Sequence, residues 1–373
     1  MKRSSPAATA PSYETGDLVA LFERQGPLLT VWSTTLGEVE HPGRRAEQVF
    51  RSARTEADAA GAPEALLDAF ERLHAAAPRR GDGLVVVGDP DGVLLVEHLP
   101  DPPRRELVAW SVLPALSAVV EHRQSLRPYV VVLTDRTGAD ILTVAPGATD
   151  VAVVDETHGQ PITRSAPGGW SQRRFQQRAE NTWARNARAV AAEVEHAVAA
   201  CNARDLIVAG DVRATNLLSD ELPEEVRAIL HTVPGGRAPD GSADALEEAA
   251  DTVVRSGVAA DTAEVLHQFA EQRSADPHGC ASTAGVLSSL SAGRVGVLLV
   301  HDDDSDDSST AWFDPDSYSA AGDRGQLPDP GAAQEGRLVD VAIRSALLSG
   351  AMIRVVPGSA LPGGPVGALL RWS

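Results

Sequence analysis

The sequence predicts an α/β protein in three blocks, and three observations support this. Apolar runs of strand length alternate with longer stretches of helical periodicity. Turn signatures rich in Asp, Pro and Gly separate them, as at Asp89-Pro90-Asp91-Gly92 and Pro239-Asp240-Gly241. The chain has 373 residues, 43% of them hydrophobic and 23% charged, which is enough for two or three packed cores. The blocks run over residues 1–125, 126–236 and 237–373.

In the first block Leu28–Thr34 reads as a strand, followed by helical stretches at 44–60 and 62–76. Leu84–Gly88 and Gly92–His98 flank an Asp-Gly turn and read as a hairpin. Trp110, Leu113, Leu116, Val119 and Val120 recur at helical spacing. The second block opens with strands Tyr129–Thr134 and Asp140–Val144 around Asp135-Arg136-Thr137-Gly138, then Val151–Val154. A long helix over Gln172–Asn202, the strand Leu206–Ala209 and a helix near Pro223–Leu230 complete it. That order suits an RNase H-like layer fold. In the third block, helices are expected at Ala243–Arg255, Thr262–Gln272 and Thr283–Ala292, and a strand at Val295–His301. Residues 302–334 read as an exposed low-complexity loop, with helix Leu338–Leu348 and strand Met352–Val356 after it.

Charge is placed unevenly. The net charge of −19 argues against a general nucleic-acid coat protein. Residues 160–190 nevertheless carry six arginines against Glu180 alone, a local balance of +5. Residues 240–373 carry 8 arginines against 20 acids. The first segment can meet phosphates; the last third should be repelled by them. Cys201 and Cys280 form no C-x-x-C pair, which excludes zinc ribbons and redox motifs. Residues 4–17 are polar and no apolar run reaches 18 residues, so neither a signal peptide nor a membrane span is expected, and the expected location is the cytoplasm.

Pro167-Gly168-Gly169-Trp170-Ser171-Gln172 precedes the long helix of the middle block, and its two glycines permit close backbone approach to a partner. Along the helix Phe175, Ala179, Trp183, Ala187, Val190, Val194 and Val198 form one apolar stripe. At 100° per residue Arg174, Arg178, Arg185 and Arg188 fall within about 80° of one another on the opposite face, with no carboxylate expected to face them. The plain reading is a core helix with a solvated arginine face. The alternative is a phosphate-bearing partner, which would relieve like-charge repulsion and accept charge-assisted hydrogen bonds. Gly168, Gly169, Trp170, Ser171, Gln172, Arg173, Arg174, Arg178, Arg185 and Arg188 are therefore the candidate RNA-binding residues.

A diglycine loop entering a long Arg-rich helix resembles the middle domain of archaeo-eukaryotic release factors and their bacterial relatives. In those factors a Gly-Gly-Gln loop enters the peptidyl-transferase centre, where its glutamine positions peptidyl-tRNA hydrolysis. Here Trp170 stands at the glutamine's place, and Gln172 lies two residues further on. An indole cannot orient water as an amide does, so the resemblance implies a protein without that hydrolytic role and no catalytic residue is assigned. Gly279–His301 resembles the helix-then-strand step of the release-factor/Pelota C-terminal domain, and Gly350–Trp372 its closing strands. The first block is similar to the variable N-terminal domain of the bacterial group. The implied architecture is a variable N-terminal α/β domain, an RNase H-like middle domain and a Pelota-like α/β C-terminal domain. Actinobacterial members and Balon-like factors of this group occupy the vacant ribosomal A site of idle ribosomes. The resemblance thus implies ribosome hibernation, with rRNA as partner and a translational GTPase such as elongation factor Tu as a further one. Neither membrane nor DNA is implied as a partner.

Other chemistries find less support. Asp135, Asp140, Asp155 and Asp211 could serve two-metal nuclease chemistry, but their places at turns and strand ends read as structural. Asp302-Asp303-Asp304 with Asp306 and Asp307 lacks the glycine and terminal glutamate of an EF-hand and reads as a solvated acidic loop. His122, His158 and His196 are isolated, Ser171 lies outside any G-x-S-x-G, and no Walker A sequence occurs. No metal or cofactor is expected. Two other functions stay open: peptide release or ribosome rescue by peptidyl-tRNA hydrolysis, and a stress-response binding protein independent of the ribosome.

Overall fold

The computed structural model describes residues 15–24, 26–34, 51–52, 54–76, 83–135, 138–145, 148–155, 162–165, 183–235, 242–306 and 308–372. In chain order, α1 (Gly16–Leu21) and β1 (Leu28–Thr34) precede helical residues 51–52 and 54–59 (α2) and α3 (Glu64–Ala76). Next come β2 (Gly83–Asp89), β3 (Gly92–Leu99), β4 (Leu107–Ser111) and α4 (Ser117–Ser125). The middle region holds β5 (Tyr129–Thr134), β6 (Gly138–Ala145), β7 (Ala148–Asp155), β8 (Ile162–Ser165), α5 (Trp183–Cys201), β9 (Asp205–Gly210), α6 (Val212–Glu221), α7 (Glu224–Arg227) and β10 (Leu230–Thr232). The chain then runs through α8 (Ser242–Ala275), α9 (Pro277–Ala281), α10 (Thr283–Ser291), β11 (Val295–Val300), β12 (Thr310–Phe313), β13 (Ala320–Ala321) and β14 (Gln334–Arg337). It closes with α11 (Leu338–Leu348), β15 (Met352–Val355) and β16 (Val366–Leu370).

Local chemistry accounts for the turns. Asp89 accepts hydrogen bonds from the Asp91 and Gly92 amides at 2.9 and 3.1 Å, closing the β2–β3 hairpin. Asp135 accepts from the Gly138 amide at 3.1 Å between β5 and β6. Asp211 caps α6 by accepting from the Arg213 and Ala214 amides.

Two compact units result: Met1–Gln124 with Thr262–Ser373, and Ser125–Asp261. In the first, an antiparallel sheet of order β3-β2-β1-β4 sorts its side chains by period two. Leu29, Val31, Leu84 and Val86 pack under Leu66, Leu67 and Phe70 of α3. Leu28, Trp32, Val85 and Val87 face the other way, into a core shared with α10, α11 and the sheet β15-β11-β16. In the second unit a six-stranded sheet runs β10-β9-β5-β6-β7-β8, with β5 to β8 antiparallel and β9 and β10 parallel to β5. The chain order of β5, β6, β7, α5 and β9 is the one expected for an RNase H-like layer, while β8, α6 and β10 are additions to it. One face carries α5 and α6 over Val130, Val132, Ile141, Leu206 and Val208. The other carries Leu246 and Ala250 of α8 over Val131, Ile207 and Ala209.

Four expectations are corrected. Trp110 sits in a strand, because Leu107–Ser111 pairs with β1 and this sheet partner overrides the apparent helical spacing. The two helices expected over 243–272 are one, α8, since Gly257 does not break it. There the missing side chain leaves room for Arg127: a Cβ would lie 2.6 Å from its Nε. Residues 302–334 are not simply an exposed loop. Ala311 and Phe313 are buried, and β12 anchors a small sheet of order β13-β12-β14. Nor is the acidic run uniformly solvated. Asp302 is buried, paired with Arg105 at 2.9 Å and Arg337 at 2.6 Å, and accepts from the Ser117 hydroxyl at 2.5 Å. Asp304 is exposed and is held by Arg105 at 3.0 Å.

Candidate nucleic-acid interface

Helix α5 lies on the middle sheet for the reason its sequence gives. Val190, Ala191, Val194 and Ala197 recur at three- and four-residue steps and are buried against the strands and Leu218 of α6. Positions on the far side are left to solvent. Gly168, Gly169, Trp170, Ser171, Gln172, Arg173, Arg174 and Arg178 lie outside the described residues. Arg185 lies within α5.

Arg188 is on the open face, its side chain 74% exposed. The expectation that no carboxylate faces this arginine row is corrected at that position: Arg188 Nε donates to Glu221 Oε2 at 3.2 Å. Glu221 ends α6, a helix the sequence reading passed over, so the pairing joins residues 33 apart in sequence with no local signal. The bond is weak. An exposed Arg–carboxylate pair contributes roughly 0–1 kcal/mol and is screened by salt, so a phosphate can displace it.

The platform beneath α5 is tied down by a network that sequence reasoning did not find. Arg127, just before β5, bonds to Asp205 and Asp261, and Arg204 reaches Asp261 at 3.0 Å. His231 Nε2 lies 3.1 Å from Asp205. Burial opposes the charge on Arg127, yet the two carboxylates outweigh it and hold its pKa above the ordinary arginine value. Each of these residues is ordinary in isolation; the pairing of β9 with β5 and β10 and the placement of Asp261 on α8 bring them together.

Candidates for other chemistry resolve into structural parts. Asp135 Oδ1 accepts from a turn amide, and Asp211 Oδ1 accepts from two amides at the start of α6. Burial pushes the thiol of Cys201, at the end of α5, above its ordinary pKa, the reverse of what a nucleophile needs. Among the described residues, no helix is long and apolar enough to cross a membrane.

The whole of this sheet, α5 and α8 fall in one stretch with a known counterpart. Residues 128–275 match bacterial archaeo-eukaryotic release factor family 2. The middle region of the chain is thus release-factor-like, as the diglycine loop and arginine helix suggested. Two Mycobacterium tuberculosis proteins of uncharacterized function, MT2704 of strain CDC 1551 / Oshkosh and Rv2629 of strain H37Rv, are each 28% identical over 228 residues. That similarity takes in 59% of this chain and 60% of each relative, so the chain spans about three-fifths of their length. Among solved structures, Archaeoglobus fulgidus Pelota is 18% identical, covering 72% of this chain and 73% of its own at a TM-score of 0.33. Dom34 of S. cerevisiae is 10% identical over 78% of this chain and 75% of its own, with a TM-score of 0.39. Ribosome-bound archaeal Pelota is 14% identical over 97% and 95%, with a TM-score of 0.40.

Proposed function

We propose that this chain is a ribosome-binding hibernation factor that occupies the A site of idle ribosomes and reaches toward the peptidyl-transferase centre. The observation that carries the reading is the release-factor match over 128–275, the stretch that contains both Gly168-Gly169-Trp170 and the arginine row. Arg174, Arg178, Arg185 and Arg188 meet rRNA phosphates, Gly168–Ser171 forms the probing loop, and Gln172 and Arg173 beside it also contact RNA. Trp170 stacks on an exposed base, a contact worth roughly 1–3 kcal/mol. The acidic C-terminal domain faces protein, a translational GTPase such as elongation factor Tu. In this reading the three domains are 1–125, 126–236 and 237–373, and the protein works in the cytoplasm under stress.

Co-sedimentation with bacterial ribosomes tests it. Pelleting should weaken with salt, log affinity falling against log salt with a slope of about three for four phosphate contacts. Arg174→Ala with Arg178→Ala should lower pelleting by at least about tenfold; unchanged pelleting would remove this helix as the anchor. A second reading, peptide release, is favoured by Gln172 close behind the diglycine. Peptide release on stalled ribosomes that Gln172→Ala abolishes would establish release in place of hibernation.

A further inference from the structure

Where β11 ends, three side chains converge that the ribosomal reading leaves unused. His301 Nε2 lies 2.8 Å from Asp303 Oδ2. With Asp306 they form a set whose ligand atoms all lie within 4.8 Å of one another. We propose that His301, Asp303 and Asp306 bind a divalent transition-metal ion of the zinc class.

The surrounding structure holds the set in place. The His301 amide donates to the Pro365 carbonyl at 2.8 Å, fixing the end of the strand. The imidazole packs over Gly358, where a Cβ would come within 2.6 Å of Nε2, so a bare backbone makes room for the ring. Between the first two ligands Asp302 is locked by Arg105, Arg337 and Ser117, which fixes the backbone from which His301 and Asp303 project. Asp306 is turned back by a short 3-10 helix, Asp304–Asp306: its amide donates to the Asp303 carbonyl at 3.1 Å, and its carboxylate accepts from the Asp303 amide at 3.2 Å. His301 Nδ1 is buried without a hydrogen-bond partner, so Nε2 is the nitrogen that faces the carboxylates.

The donor set selects the ion. A neutral imidazole with two carboxylates carries a charge of about −2, which a divalent cation neutralises. Asp302 does not add to that charge because two arginines answer it. A nitrogen ligand disfavours Mg²⁺ and Ca²⁺, which take oxygen shells, and favours Zn²⁺ and its neighbours. Three protein ligands leave a fourth position, and Asp303, its side chain half exposed, puts that position toward solvent. Bound there, the ion joins the end of β11 to the turn that begins the β12–β14 insertion.

Isothermal titration of the full chain with ZnCl₂ tests the site, with MnCl₂ and MgCl₂ as comparators and thermal melting as a second readout. One zinc per chain is expected, bound more tightly than manganese or magnesium, with a raised Tm. His301→Ala and Asp303→Asn should each weaken zinc binding by at least about tenfold, as even outer-shell changes can. Asp304→Asn, a neighbour outside the set, should leave it intact. Should His301→Ala fail to fold, Asp303→Asn, at a half-exposed carboxylate, still decides. No stoichiometric zinc binding, or equal binding by wild type and Asp303→Asn, would overturn the proposal. Ribosome binding has no part in this test.

Discussion

Gly210 shows how much a single position can carry. It sits at φ +145° where β9 ends, and a Cβ there would lie 1.8 Å from the Thr134 carbonyl oxygen. Neither the backbone angle nor the space admits a side chain. Gly210→Ala should therefore cost roughly 2–4 kcal/mol, at the upper end for single substitutions, read as a lowered urea midpoint; a loss below about 0.5 kcal/mol would contradict the packing described. Other single residues were legible in advance. Asp89 and Asp135 act as turn acids, because their partners are amides two or three residues away, whereas the capping of α6 by Asp211 was not legible because that helix was not read. Asp302 was not legible. It sits in a run of aspartates that looks solvated, and its partners Arg105 and Arg337 lie 197 and 35 residues away. His301 heads the aspartate run in sequence, but its approach to Asp303 and Asp306 depends on the 3-10 turn at Asp304–Asp306 and was not legible.

At the scale of elements, α5 and the strands around it could be read because each hides one face and so imposes a period on its sequence. Short or polar elements were missed. Helix α6 is interrupted by Thr215, Asn216 and Ser219, and β13 is two residues long. The arginine face of α5 gained a partner that only tertiary structure could supply, Glu221. Glu221→Gln removes that competitor's charge. Stability should change by less than about 1 kcal/mol, while ribosome pelleting at moderate salt should hold or rise. A fall in pelleting with stability unchanged would mean that Glu221, and not the freed Arg188, makes the contact.

For the molecule as a whole, charge and fold tell one story only when taken by region. A net charge of −19 repels RNA at long range, yet residues 160–190 carry +5. The ribosome binding proposed above would then be led by this cationic segment. The chain order of β5, β6, β7, α5 and β9 was legible from the sequence, β8, α6 and β10 were not, and residues 128–275 carry the release-factor likeness. How the first and last segments come to share a core was not, since that core joins residues as distant as Trp32 and Phe313. The most direct test of the central claim is a cryo-EM map of bacterial ribosomes incubated with the full chain. Density is expected in the A site, with Trp170 against rRNA near the peptidyl-transferase centre and the arginine face of α5 along the RNA backbone. Density at another site, or an A site left open at saturating protein, would contradict that claim.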